Sequence, residues 1–327
     1  MRGEAAPLRQ RLAGTALRAA ATTVRRLPSA LVYALADLAS LAVVLYALVH
    51  ERRVGPQGRG LFRNQRIVFR DRLTRSTSRA LLIAWARHMA RLAVDFCRMP
   101  RIDAANLSRH VDFRALPELR KLHAEGRGVI CVSGHFGVWE LLGHAARLEG
   151  LPVSIVARRM AQPPLQEFVD SIRRRAGQAR VEQRGALWQL KKALDRGDVI
   201  GLLADEDTPV KPIFVPFLGT LAASSPAAAF LQRVSGAPIA VVGCHRVGRE
   251  RFRIDVWRVI SCAEARAAEA DPAGVTASIS EALSRAILAR PEQWLWGSRR
   301  YLTRPAGEQA GPDRLPPRAP KLDALPR

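Results

Sequence analysis

Cysteine is scarce. The 327 residues hold four, Cys97, Cys131, Cys244 and Cys262, with no CxxC pair and no zinc-like spacing. That argues against a disulfide framework and a zinc module, and the four read as reduced thiols, which fits a domain facing the cytoplasm. Aromatics are few as well, at 6%, and lie in strand-like runs rather than on the stacking platforms of a nucleic-acid binder, so no nucleic-acid partner is expected. Acidic residues are the third shortage: 29 Asp and Glu face 52 Lys and Arg, leaving +23. Such a field attracts anions, and by charge alone acidic lipid headgroups, an acidic carrier protein and nucleic acid all qualify. The chain also lacks an internal repeat, a GxSxG nucleophile elbow and an HExxH helix.

What it has in quantity is apolar surface. Hydrophobic residues form 48% of the chain, enough for one large α/β domain with a membrane-attaching arm. Residues 1–26 carry six arginines and one glutamate and read as a basic, partly helical leader. Residues 27–50, LPSALVYALADLASLAVVLYALVH, are interrupted only by Asp37 and bounded by Arg25–Arg26 and Arg52–Arg53. That length suits a membrane anchor helix, at roughly 20 residues per hydrocarbon core. The long leader and the missing small-residue cleavage site argue against a cleaved signal peptide. Asp37 keeps a monotopic or a buried core helix open, because a carboxylate inside a bilayer is costly. Residues 51–115 form a basic and amphipathic helical region, with an amphipathic helix over 76–98. Arginine at both ends of the apolar run leaves local charge counting mute; the basicity of everything downstream favours a cytoplasmic body.

From 116 to 305 the text alternates. GVICVS (128–133), LPVSIVA (151–157), DVIGLLA (198–204), APIAVVGCHRV (237–247) and RFRIDVWRV (251–259) read as strands. Residues 137–149, 164–176, 186–196, 224–235 and 273–289 read as helices. This predicts an α/β fold with a mostly parallel central sheet flanked by helices. Residues 306–327, rich in proline, read as a disordered tail.

Four stretches carry the chemistry. In SGHFGVWE (133–140) a strand ends, glycines flank His135, and a helix begins. His135 and Glu140 would sit about 140° apart on one continuous helix. They meet only if His135 lies in the turn and Glu140 in the first helical turn. A histidine held by a carboxylate takes a proton from a hydroxyl at neutral pH, so these two are the candidate catalytic dyad. His144, four residues beyond Glu140, reads as a surface contact rather than a metal ligand, and no metal is expected. In SIVARRMAQPPLQEFV (154–169) the strand-end Arg158 and Arg159 suit forked binding of phosphate, with a solvated pair as the plain alternative. LLADEDTPVKPIFVPFLG (202–219) puts Asp205 at the carboxyl end of a strand, where α/β folds place ligand sites. Asp205 and Asp207 also spell the DxD pair of metal-dependent glycosyltransferases. In RPEQWLWGSRRYLTRP (290–305), Trp294 and Trp296 suit a strand or an interfacial belt. Arg299, Arg300 and Arg304 follow as an anion surface or as solvated arginines.

GHFGVWE resembles the HxxxxD/E element of the lysophospholipid acyltransferase superfamily. It looks most like the GHFGNWE-like motif of the lipid A late (lauroyl/myristoyl) acyltransferases, with Val138 where that branch has Asn. The likeness runs from about Leu27 to Pro305. Counting back from Pro164–Leu165 aligns Arg159 with the family's functional arginine, Arg158 beside it. Asp205 matches its strand-end Asp, and 215–219 its VPFFG-like loop. The closing stretch matches PEQW-W-HRR, with Ser298 in place of His. The resemblance implies a glycerol-phosphate-acyltransferase-like fold at the bacterial inner membrane, its catalytic domain on the cytoplasmic side. It implies acyl carrier protein as donor, acyl-CoA being second choice, no cofactor, and a hydroxyl of a lipid A precursor or related glycolipid as acceptor. His135 and Glu140 become the general-base dyad, and Arg159, Arg158 and Asp205 shape the substrate site. Backbone N–H groups around Gly134–Gly137 or a nearby arginine would stabilise the oxyanion. An ornithine-lipid or aryl-polyene acceptor remains open, as do a metal-dependent membrane glycosyltransferase and a non-catalytic, basic, membrane-bound lipid-binding protein.

Overall fold

Continuous Val, Ile and Leu runs suit strands buried on both faces, and such strands pair in parallel under helices. A computed structural model of the chain describes residues 8–49, 56–157, 160–182, 186–261, 263, 271–298 and 300–308. The strands are β1 (Val111–Phe113), β2 (Val129–Ser133), β3 (Val153–Ala157), β4 (Ala179–Glu182), β5 (Val199–Leu203), β6 (Ile213–Phe217), β7 (Thr220–Ser224), β8 (Ile239–Gly248) and β9 (Arg251–Ile260). Seven of these form one sheet in the order β1-β9-β8-β2-β5-β3-β4. From β8 to β4 every neighbouring pair is parallel; β9 turns back antiparallel to β8, and β1 runs parallel to β9. The α/β class with a mostly parallel sheet is therefore as expected. β1 lies ahead of residue 116.

The helices are α1 (Leu8–Arg26), α2 (Ser29–Val49), α3 (Pro56–Phe69), α4 (Arg75–Arg98), α5 (Leu107–His110), α6 (Leu116–Ala124), α7 (Glu140–Leu148), α8 (Pro163–Arg175), α9 (Ala186–Asp195), α10 (Ala227–Ser235) and α11 (Pro272–Ala289). Side chains alternate across a strand, so the sheet feeds two cores. Ile130, Val132, Ile200 and Val241 pack with α9, α10 and α11 on one face. Val129, Val153, Val199 and Val242 pack with α6, α7 and α8 on the other. Each such aliphatic side chain contributes roughly 1.5–3 kcal/mol when fully buried.

The hairpin of β6 and β7 differs from the sequence reading, which has a loop over 215–219 and a helix from 224. Val215 to Phe217 are strand, the turn falls at Leu218 and Gly219, both with positive φ (48° and 84°), and Ser224 still belongs to β7. A two-residue turn with positive φ at both positions matches the twist of the strands it joins.

The apolar helix α2 lies along α4. Val32, Tyr33, Ala36, Ser40 and Val44 are buried, while Leu31, Leu35, Leu38, Leu41, Leu45 and Val49 are exposed. By length and composition it is able to cross a membrane. Asp37 is not left bare: Arg91 of α4 grips both carboxylate oxygens at 2.6 Å. Arg98 secures the leader, donating to the carbonyls of Val24 and Leu27 at the end of α1 and to Glu250 beyond β8. A cation on the last carbonyls of a helix satisfies acceptors that the helix itself leaves open.

Candidate active site

Strand register places the site. β2 and β5 are parallel neighbours with Ser133 opposite Leu203, and the Ala204 N–H donates to the Ser133 carbonyl. Two residues past each strand the chain has left the sheet at its carboxyl edge, so His135 and Asp205 emerge side by side. The His135 Nδ1–H donates to Asp205 Oδ1 at 2.8 Å, and the His135 backbone N–H donates to Oδ2 at 2.8 Å. The Trp294 indole N–H donates to that same Oδ2, also at 2.8 Å. Asp205 is 1% exposed. The carboxylate on His135 is therefore Asp205, and the expected His135–Glu140 hydrogen bond is replaced by it.

Two glycines make this loop possible. A Cβ on Gly134 would meet the Asp205 carboxyl carbon at 2.9 Å, and one on Gly137, at φ 60°, would sit 1.8 Å from the Cys244 carbonyl oxygen. Side chains there would push the loop off both partners. The backbone N–H groups of the loop are engaged: His135 on Asp205, Phe136 on the Gly134 carbonyl, Gly137 on the Gln293 carbonyl, Val138 on the Cys244 carbonyl. These four are engaged within the fold; the sequence expectation offers them or a nearby arginine as oxyanion donors.

Glu140 opens α7, and its carboxylate turns to Arg173 of α8. The guanidinium donates to it from Nε at 3.0 Å and from Nη2, and lies 3.7 Å from Asp170. Both partners of this pair are about 10% exposed or less. Glu140 and Arg173 nevertheless line the same groove as His135 and Trp139, a cavity of about 860 Å³ whose inner wall is Leu190, Ala228, Ile279 and Leu283. Among the described residues Arg173 is the arginine in that lining. A smaller chamber of about 90 Å³, against Leu142, Ile155, Gly201 and Cys131, meets the groove at Trp139, Glu140 and Arg173. Burial pushes the Cys131 thiol up to about 12, which leaves it an inert wall.

Burial alone would lower the basicity of His135. The charge and hydrogen bond of Asp205, helped by Glu206 and Glu140, outweigh it and hold the imidazole above its ordinary pKa. For Asp205, burial pushes up, while His135, Trp294 and the His135 backbone pull further down, so it stays ionised. A buried anion on Nδ1 fixes one tautomer and leaves Nε2 as the basic nitrogen.

The other residues singled out in the sequence go separate ways. Arg158 and Arg159 lie outside the described residues, as do Arg299 and the tail beyond 308. His144 is buried on the Ile102 carbonyl. Asp207 accepts from the backbone N–H and hydroxyl of Thr303, so it and Asp205 face different partners. Trp294 and Trp296 are fully buried, edge to face at 4.7 Å, and form no interfacial belt. Arg300 is 0% exposed: it stacks on Phe217 and donates to the Glu206 and Ala223 carbonyls and to Ser224. Arg304 is turned to Glu308 and the Leu221 carbonyl. Neither arginine belongs to an anion surface. The sequence reading missed Arg173 and the hydrogen-bonding role of Trp294; the PEQW spelling was the one available signal for the latter.

Residues 49–303 match the family described as bacterial lipid A biosynthesis acyltransferase. The chain is 28% identical over 202 residues to a lipid A biosynthesis palmitoleoyltransferase of Escherichia coli (strain K12), covering 61% of this chain and 64% of that one. It is 28% identical over 205 residues to a lipid A biosynthesis lauroyltransferase of the same organism, covering 62% and 65%. The match thus spans somewhat less than two thirds of each relative. Among solved structures, a 1-acyl-sn-glycerophosphate acyltransferase from Thermotoga maritima aligns over 79% of this chain and 99% of its own, at 13% identity and a TM-score of 0.38.

Proposed function

The chain belongs to the bacterial lipid A biosynthesis acyltransferase family, and from that premise we propose that it moves a fatty acyl chain from a carrier thioester to a hydroxyl of a lipid A precursor or related glycolipid. The observation that carries this reading is His135, bonded through Nδ1 to buried Asp205 on the border of a groove with an apolar inner wall. Nε2 takes the proton of the acceptor hydroxyl as its oxygen attacks the thioester carbonyl. Asp205 stabilises the imidazolium that forms. The tetrahedral intermediate collapses by breaking the carbon–sulfur bond, and the leaving thiolate recovers the proton from the imidazolium. The products are one ester and one free thiol, with no covalent enzyme intermediate.

Leu190, Ala228, Ile279 and Leu283 receive the hydrocarbon. Arg159, with Arg158 beside it, binds a phosphate of the acceptor or of the donor's pantetheine arm. Glu140 serves the groove wall by holding Arg173 and by adding negative charge near His135. Acyl carrier protein is the donor, its acidic surface drawn to the +23 chain. The exposed apolar side of α2 anchors the protein in the inner membrane with the body on the cytoplasmic side, and Arg91 relieves the cost of Asp37 there.

Purified protein given acyl-carrier thioester and a lipid A precursor should release one free thiol for each ester gained by the lipid, with EDTA making no difference. Glycolipids of a host lacking the gene should lose one acyl chain by mass spectrometry. Thiol release uncoupled from ester formation, or an unchanged glycolipid profile, would sink the proposal.

A further inference from the structure

Residues 293–295 run against the histidine loop. The Gly137 N–H donates to the Gln293 carbonyl, the Leu295 N–H donates to the His135 carbonyl, and Phe136 and Trp294 form a β-bridge between them. Gln293 is itself fixed, its side chain accepting from the Arg246 N–H at 2.9 Å and donating to the Arg246 carbonyl at 3.0 Å. From this clamped backbone the Trp294 indole reaches Asp205 Oδ2. The same chain segment continues to the residues after Asp205: Arg300 holds the Glu206 carbonyl at 3.0 Å, and Thr303 holds Asp207.

We infer that Trp294 is a positioning residue for the His135–Asp205 pair, one indole N–H orienting the carboxylate while its flanking backbone holds the imidazole's loop. The geometry leaves Asp205 few alternatives. Oδ2 accepts two donors, the His135 N–H and the indole, which turns Oδ1 to His135 Nδ1. Packing alone does not call for this arrangement. Trp296, equally buried and in contact with Trp294, sends its own indole to the Pro291 carbonyl, away from the dyad. The groups that set the proton affinity of His135 are Asp205 and Glu206 after β5 and Glu140 at the start of α7. Arg300 is also within electrostatic reach of Asp205 and of Asp207. Taking the indole N–H away leaves more charge on the carboxylate, so the imidazolium gains stability and the imidazole titrates at higher pH.

This inference rests on the proposed acyl transfer for its kinetic consequence but not for its structural one, and the test separates the two. Trp294→Phe should lower kcat roughly 10- to 100-fold, the scale of one hydrogen bond to a charged group, with KM little changed. The acid limb of its pH–rate profile should move to higher pH. Nitrogen NMR of histidine-labelled protein, with His135 assigned from His135→Gln, should show the imidazole titrating higher and its single tautomer becoming mixed. Trp296→Phe should leave both signals where they are. Combined with Asp205→Asn, Trp294→Phe should cost little more than Asp205→Asn alone. Benzothienylalanine at 294, which keeps the bicycle and replaces N–H by sulfur, gives the same test should the smaller ring compromise folding. A His135 signal unmoved by loss of the indole N–H, or losses that multiply in full with Asp205→Asn, would overturn the positioning role. A moved signal in a protein without transferase activity would uphold the role and overturn the acyl-transfer proposal instead.

Discussion

His135→Ala is expected to cut the proposed acyl transfer by roughly 10²- to 10⁴-fold, the usual contribution of a positioned general base, while folding and membrane partitioning stay as in the unsubstituted protein. The deleted ring is partly exposed on the groove, with 19% of its side chain accessible, so removing it opens no sealed core void. What it does leave is Asp205, buried, ionised and short of one partner; the His135 backbone N–H and the Trp294 indole still hold it. The remaining route is direct attack by the few acceptor hydroxyls that ionise unaided, so the residual rate should climb about tenfold per pH unit instead of levelling off above the imidazole's pKa. Initial rates of ester formation, measured alongside circular dichroism and membrane flotation, read this result. Transfer within tenfold of the unsubstituted protein would mean that the base is another group.

The second large effect concerns folding rather than chemistry. Glu140→Ala is expected to destabilise the protein by about 3 kcal/mol, toward the low end for breaking a buried ion pair by removing one side. Among the described residues, Arg173 then keeps only Asp170, at 3.7 Å, for a guanidinium with 9% of its side chain exposed. Burial lowers the proton affinity of that guanidinium, and the hydrogen bonds and charge of Glu140 more than restore it; without them the cation is left in an apolar wall. Replacing both members by similar-sized apolar side chains, Glu140→Leu with Arg173→Met, should cost less than Glu140→Ala alone, since no unpaired charge remains. Denaturant unfolding in detergent reads both variants. A single substitution as mild as the double one would show that the pair is not the reason Glu140 is in the wall.

The difference between these two residues marks how far the sequence could be read. β2, β3, β5, β8 and β9 announced themselves as apolar runs, and α7 to α11 by their spacing, because burial on two sides or one leaves a direct imprint on composition. β1 and β4 did not: VDF and ARVE are too short and too polar for a pattern to form. The hairpin of β6 and β7 was hidden by Pro216 within a strand and by Leu218 at a positive φ, where Gly or Asn is the usual signal. His135 and Asp205 were legible as site residues, each two positions past a strand. Their pairing was not. It crosses 70 residues of sequence and follows from β2 lying beside β5 in register, information that local spacing does not contain. The nearby Glu140 was the natural partner on spacing alone, and Arg173, which in fact takes it, carries no motif. Arg300 illustrates the same limit in reverse: an exposed anion surface is the ordinary reading of arginines near a chain's end, and only the tertiary contact with Phe217 and Ser224 shows one to be interior.

The pairing of His135 with Asp205 is tested most directly by measuring single-turnover acyl transfer for Asp205→Asn and Glu140→Gln side by side, at a temperature where both are folded. Asp205→Asn can no longer anchor the Nδ1–H tautomer or stabilise an imidazolium, and should lose at least a hundredfold, on the scale of general-base catalysis. Glu140→Gln keeps an oxygen for Arg173 and leaves the dyad intact, and should stay within about tenfold of the unsubstituted rate, the effect of a single weakened hydrogen bond. The reverse order, with Glu140→Gln inactive and Asp205→Asn near normal, would contradict the account.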